Sequence, residues 1–199
     1  MNIALYGGAF NPIHTAHILL AEEVVNTFDI QKVLFMPTFQ SPHKDTTKSV
    51  SYEDRMNMCS LAVGNDSSFE VSDLESKIVG KSYSYITLNR LKEIYPKDNL
   101  YMIIGADMYL TLLEWKNPLE IFRLANIITC PRDDGDYKTL LDYSKELSSY
   151  GCKTLMLTSP IMELSSTMIR ENPKKAYESG YINKAVYDYI KEHNLYGVK

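Results

Sequence analysis

Ile3-Ala4-Leu5-Tyr6-Gly7-Gly8-Ala9-Phe10-Asn11-Pro12-Ile13-His14-Thr15-Ala16-His17 is the stretch on which the fold turns. The apolar segment Asn2 to Tyr6 reads as a buried strand that two glycines end. Residues 15 to 27 then carry Ile18, Leu19, Ala21, Val24 and Val25 at helical spacing, with Phe28 just beyond. A strand, a glycine turn and a helix start together make an anion site. Glycine lets backbone approach a ligand closely, and the first N–H groups of a helix are unpaired and partly positive. His14 and His17 lie three residues apart, so at a helix start they share one face. The chemistry implied is phosphate binding by imidazoles in place of a P-loop lysine. No GxGxxG follows the strand, no acidic residue ends the second strand, and GxxxxGK[ST] occurs nowhere. Spacing alone leaves two plainer readings open: capping of a turn, and zinc ligation, although HExxH and a cysteine pair are both missing.

The pattern repeats along the chain. Strands are predicted at Lys32 to Met36, Phe69 to Leu74, Leu100 to Ile104, Ile127 to Cys130 and Thr154 to Leu157. Helices are predicted from a Ser51 cap to Val63, at Ser84 to Tyr95, and at 118–124, 137–149, 166–171 and 183–193. The polar, proline-containing segment from Phe39 to Ser51 reads as a loop, and beside a pocket it suits a lid. Strands alternating with helices predict an α/β fold: a Rossmann-like parallel sheet with helices on both faces and a small C-terminal helical segment, about 166–199, packing on it. Ligands in such folds bind beyond the carboxyl ends of the strands, near the switch point, and the strands ending at Gly7 and Gly105 mark that place.

The length of 199 residues suits one domain spanning 1–199. Apolar and charged contents of 45% and 23% are ordinary for a globular protein, and a net charge of −4 argues against a nucleic-acid-coating surface. Cys59, Cys130 and Cys152 are far apart and read as free thiols of a reducing compartment. Neither a signal peptide nor a membrane span is legible, so a cytoplasmic protein is expected. The assembly is open, with a homodimer among its forms.

Near the other end stands Leu164-Ser165-Ser166-Thr167-Met168-Ile169-Arg170. Hydroxyls and N–H groups at a helix start, with an arginine one turn on, can hold phosphate oxygens, although Ser-Ser-Thr by itself reads equally as a cap. Together the two stretches resemble the nucleotidyltransferase superfamily, which has a GGxFxPxH turn leading into HxGH and a later ISSTxxR. Pro42-His43-Lys44, Ser82-Tyr83-Ser84, Gly105-Ala106-Asp107, Glu114-Trp115-Lys116 and the ending Leu195-Tyr196-Gly197 narrow the resemblance to the bacterial nicotinate-nucleotide adenylyltransferases, over essentially the whole chain.

The resemblance implies adenylyl transfer from ATP to nicotinate mononucleotide, with pyrophosphate released, as a step of NAD biosynthesis. It assigns catalysis to His14, His17 and Arg170, and ATP binding to these together with Gly7, Gly8, Phe10, Gly105, Asp107, Ser165, Ser166 and Thr167. Lys44, Ser84, Trp115 and Lys116 fall to the acceptor. Trp115 can stack on a pyridine ring and Ser84 can take a carboxylate, while Asp107 can accept from a ribose hydroxyl or cap the next helix. Magnesium is expected to come with ATP, with no protein-held metal, no nucleic acid and no membrane among the partners. The residues depart from the family pattern at Asn11 (usually Asp), Ala16 (usually Gly), Ser84 (usually Thr) and Ile86 (usually Asp). Other acceptors remain open, nicotinamide mononucleotide first among them, as does a non-catalytic adenine-nucleotide sensor.

Overall fold

The structure, a computed structural model, describes residues 1–40, 50–131, 135–158 and 164–198. Six strands form one all-parallel sheet: β1 (Asn2–Gly8), β2 (Lys32–Pro37), β3 (Phe69–Val71), β4 (Asn99–Ile103), β5 (Ala125–Thr129) and β6 (Thr154–Met156). Their spatial order is β3-β2-β1-β4-β5-β6. The chain therefore builds outward from β1 on one side, returns, and builds outward from β4 on the other. The switch point is the gap between β1 and β4, where Tyr6 pairs with Ile103 at the end of β4 while β1 runs on to Gly8.

Nine helices are described: α1 (Thr15–Phe28), α2 (Tyr52–Val63), α3 (Ser84–Ile94), α4 (Ala106–Tyr109), α5 (Pro118–Leu124), α6 (Asp136–Ser149), α7 (Ser166–Glu171), α8 (Pro173–Glu178) and α9 (Lys184–Glu192). Strand side chains alternate, so each central strand feeds two cores. Ala4, Tyr6, Val33 and Phe35 face α1, α2 and the C-terminal helices through Leu20, Val24, Met58, Ile169, Ala176, Val186 and Ile190. Ile3, Leu5, Leu34 and Met36 face α3, α5 and α6 through Leu88, Leu91, Ile121, Leu140 and Leu147. Both faces are covered, and the C-terminal helices pack on the sheet beside α1 and α2 as expected. Cys59, Cys130 and Cys152 are buried thiols in no disulfide, and among the described residues no helix is long and apolar enough to cross a membrane.

Local chemistry accounts for the boundaries. The Ser51 hydroxyl accepts from the Asp54 N–H at 3.0 Å and starts α2. Pro96 lies just beyond the end of α3. The predicted third strand runs only to Val71, because Ser72 and Asp73 turn the chain: the Ser72 hydroxyl accepts from the Leu74 N–H at 3.3 Å and the Asp73 carbonyl from the Ser76 N–H at 3.0 Å. A single 3-10 turn, Leu74–Lys77, follows. Helix α8 escaped the periodicity because it is short, yet Asn172 and Pro173 are an N-cap and a first-turn proline, with Asn172 Oδ1 accepting from the Lys175 N–H.

Ser51→Ala removes the α2 cap and no packing, so the expected loss is about 1 kcal/mol of stability. Urea unfolding with an unchanged m-value would register it as a lowered midpoint; an unchanged midpoint would refute it.

Candidate active site

Beyond the carboxyl ends of β1 and β4 lies a cavity of about 270 Å³ lined by, among others, Gly7, Gly8, Ala9, Ser84, Gly105, Trp115 and Lys116. Of the residues assigned to ATP, Gly7, Gly8 and Gly105 line this cavity, and of the four assigned to the acceptor, Ser84, Trp115 and Lys116 do. Lys44 lies outside the described residues, as does most of the predicted loop. A Cβ built on Gly7 or Gly105 would meet nothing within 4 Å, so both glycines border open space; one on Gly8 would press on the Phe10 ring at 3.1 Å. Ser84 is the first residue of α3, placing a helix start and its N–H groups on the cavity wall. Trp115 is partly buried, with its indole N–H directed to Thr111 Oγ1 at 3.4 Å.

The turn after β1 carries the imidazoles. Phe10 adopts φ 42° and is 2% exposed, its ring packed edge-on against His17 with centroids 5.0 Å apart. The resemblance assigns it to ATP; in the structure its ring packs against the histidine. His14 precedes α1 as its N-cap residue and His17 sits one turn in; their rings stack with centroids 3.7 Å apart. The His14 backbone N–H donates to His17 Nδ1 at 3.2 Å, which assigns the hydrogen of a neutral His17 to Nε2. Burial pulls the His14 pKa down to about 4, and its Nδ1 is buried without a partner. Burial, and then the neighbouring His14, pull His17 well below the ordinary histidine value. Without a bound anion the pair is neutral.

The second motif closes on the same turn. Arg170 Nη1 donates to the Asn11 carbonyl at 2.8 Å and Nη2 to Thr167 Oγ1 at 2.9 Å. The Ser166 hydroxyl donates to the Pro12 carbonyl at 2.9 Å, and the Ser165 hydroxyl caps α7 by accepting from the Met168 N–H at 3.4 Å. Histidines and the Ser-Ser-Thr…Arg segment thus form one wall, with the serine hydroxyls already engaged in holding it together. Asp107 is exposed in the first turn of α4, whose N-cap is Gly105, so its capping alternative is not what the structure shows. Ala16 is 8% exposed, its methyl largely covered by protein, and Ile86 is not among the cavity-lining residues.

Two buried charges at this site have no counterpart in the motif reading. Arg55 is 4% exposed; its Nη1 donates to the Ala9 carbonyl and its Nη2 to the Thr38 carbonyl, each at 2.8 Å, while Nε is unpartnered. Glu75, 8% exposed, lines the cavity and accepts from the Phe39 N–H at 3.1 Å and Thr87 Oγ1 at 3.2 Å; burial raises its pKa. A charge at an apolar helical position is the signal that marks Arg55, which shares the buried face of α2 with Met58 and Cys59.

The depressed His14 makes folding pH-dependent. Between the ordinary value of 6.5 and about 4 the unfolded chain takes up a proton that the folded chain refuses. Stability is therefore full above pH 6.5 and declines as pH falls to 4, on the order of 3 kcal/mol from this group. His14→Gln should flatten that part of the stability–pH curve; an equally steep curve in the variant would refute the assignment.

Comparison with known proteins agrees with this architecture. A model of the cytidylyltransferase-like family matches residues 5–172. A protein of Clostridium botulinum (strain Kyoto / Type A2) described as a probable nicotinate-nucleotide adenylyltransferase is 37% identical over 199 residues, covering 98% of this chain and 99% of its own. One of Dehalococcoides mccartyi (strain CBDB1) with the same description is 36% identical, covering 98% and 97%. Among solved structures, the Plasmodium falciparum nicotinic acid mononucleotide adenylyltransferase complexed with NaAD superimposes with a TM-score of 0.79 at 22% identity, covering 100% of this chain and 98% of its own, a likeness of fold. The imidazole turn, the Ser-Ser-Thr…Arg wall and these full-length matches agree: the chain belongs to the cytidylyltransferase-like family, among its nicotinate-nucleotide adenylyltransferases.

Proposed function

We propose that this chain, acting as one unit over residues 1–199, transfers the adenylyl group of ATP to nicotinate mononucleotide, giving nicotinate adenine dinucleotide and pyrophosphate. The observation that carries the reading is the adjacency of two differently built compartments. A largely apolar cavity holds Trp115, Ser84 and Lys116, and a wall of nitrogen donors stands beside it, the two meeting at Gly8 and Ala9.

In this reading the pyridine ring lies against Trp115, and the start of α3 with Ser84 receives its carboxylate. Lys116, on the cavity rim, adds positive charge, and Lys44 is assigned the same part. Gly7 and Gly105 leave room for the mononucleotide, and Asp107 takes a ribose hydroxyl. The acceptor phosphate is already an anionic nucleophile, so attack on the α-phosphate needs no general base. The P–O bond to the acceptor forms as the bond to the β-phosphate bridge breaks, and the electron pair leaves with pyrophosphate. The chain's task is placement and charge stabilisation. His17 Nε2–H and His14 donate to phosphate oxygens along the transferring group, and the remaining N–H groups of Arg170, with Thr167 and the Ser165–Ser166 segment, hold the departing end. These imidazole, guanidinium and hydroxyl groups are phosphate donors, and among the described residues no three His, Cys, Asp or Glu are grouped to hold a metal. Magnesium would enter as part of the substrate, carried by the phosphates and water of ATP.

Pyrophosphate release with ATP and each mononucleotide in turn tests the reading: turnover is expected with nicotinate mononucleotide, and ATP binding without release would refute it. His17→Ala removes a donor worth about 2.7–4 kcal/mol in comparable sites, so kcat should fall roughly 10²–10³-fold. Full activity in that variant would refute the mechanism. Gly105→Ala suits its φ of −67° and clashes with nothing in the protein, so melting should be unchanged. Its methyl enters ligand space, and KM for the mononucleotide should rise about tenfold; an unchanged KM would place the substrate elsewhere.

A further inference from the structure

Asn11 stands where the family usually has aspartate, and the structure shows what that position serves. Tyr196 Oη, 185 residues away in sequence, donates to Asn11 Oδ1 at 2.7 Å. Arg170 Nη1 donates to the carbonyl of the same residue at 2.8 Å. Asn11 is thus held by side chain and main chain at once. The next residue, Pro12, receives the Ser166 hydroxyl, and two residues later comes His14.

The tail is shaped to make this contact. Tyr196 lies in a single turn, Leu195–Gly197, with φ 54°, between Asn194 at 53° and Gly197 at 75°. Three left-handed residues among the four positions 194–197 reverse the chain sharply after α9; glycine and asparagine adopt that conformation easily and a tyrosine does not. The bend turns the phenol back toward the turn after β1, where it packs against the same core as Phe10 and Ile13. Burial raises the pKa of the hydroxyl, outweighing the opposing pull of Arg170 and Arg55, so it remains a protonated donor at neutral pH. Such a donor needs an acceptor oxygen, which asparagine and aspartate both offer.

We propose that Tyr196 is a positioning residue for adenylyl transfer: the C-terminal turn fixes Asn11, and through it the backbone leading to His14 and the guanidinium of Arg170. The proposal rests on the functional reading above. Tyr196 touches neither reacting phosphate; it decides where the groups that do so stand.

The test compares Tyr196→Phe, Asn11→Asp, Asn11→Ala and the double variant Asn11→Ala/Tyr196→Phe in the full chain, by pyrophosphate release and thermal melting. Tyr189→Phe serves as a control, since Tyr189 Oη donates to Asp54 and accepts from Asn57 in the same tail, away from Asn11. Tyr196→Phe is expected to lower kcat about tenfold with KM for the mononucleotide little changed, a loss of alignment rather than of binding. Asn11→Asp keeps an acceptor and should retain kcat. Asn11→Ala should match Tyr196→Phe, and the double variant should be no worse than either single one. Tyr189→Phe should lower melting at least as much as Tyr196→Phe while leaving kcat alone. A wild-type kcat in Tyr196→Phe, additive losses in the double variant, or an equal kcat loss in Tyr189→Phe would each overturn the proposal while leaving the functional reading standing. Absence of turnover in the wild-type chain would overturn both.

Discussion

Everything chemical in this molecule depends on how the backbone oxygens of one short turn are satisfied. Between β1 and α1 the chain can build no ladder, and Pro12 has no N–H to offer. The turn's acceptors are instead taken by donors from far along the chain: the Ala9 carbonyl by Arg55, the Asn11 carbonyl by Arg170 and the Pro12 carbonyl by Ser166. Buried carbonyls left unpaired cost about 1–3 kcal/mol each, so the turn has this shape only when α2 and α7 are in place. Two of the donors are guanidinium groups, which makes these bonds stronger and leaves cationic charge beneath a site built for anions. Arg55 goes furthest in this respect: it is nearly fully buried, bonds only to carbonyls, and keeps one N–H unpartnered. Glu75, on the cavity lining, accepts from Phe39 and Thr87, and its side chain and the Arg55 guanidinium act on each other electrostatically.

The same close packing sets the state of the histidines. Tyr6 and Phe10 flank the His17 ring and the two imidazoles stack on each other, so a proton on either would be desolvated, and one on His17 would also be disfavoured by His14. Neutrality has a benefit. A neutral imidazole whose Nδ1 already accepts has a single, fixed N–H, so His17 presents one donor in one direction. Directionality matters more than bulk charge where a bond must be made in line. In the proposed reading the positive charge for the phosphates comes from the arginines, which remain charged whatever their burial.

Much of this was legible in the sequence because it rests on local rules. The strand–glycine–helix opening, the Ser51 cap and the alternation of strands with helices each need only neighbours a few residues apart, and all three are present in the structure. What was not legible depends on contacts between distant segments. Phe10 reads as a ligand contact in the motif, yet its positive φ turns the ring inward under His17. Ser165 and Ser166 read as phosphate donors, yet their hydroxyls are engaged in capping α7 and bracing Pro12. Arg55 left a trace, a charge on an apolar helix face; Tyr196, in a tail with no periodicity, left none beyond family likeness. β3 ended early because a serine–aspartate turn overrode the apolar pattern that continued to Leu74.

The departures from the family pattern follow from what each position has to supply. At Asn11 the requirement is an acceptor oxygen for Tyr196, which an amide meets as a carboxylate does, without adding a negative charge beside a triphosphate. At Ala16 the added methyl is largely buried within the protein, so it fills space under the helix start without blocking the phosphates. At Ile86 the side chain stands apart from the cavity lining, and the polar work of that segment falls to Ser84 at the mouth of α3. A motif letter can change wherever the atom it supplies is still supplied. In the proposed reading the positions least open to change are those whose atoms have no substitute: the Nε2–H of His17, the forked donors of Arg170, and the bare Cα of Gly105 facing open space.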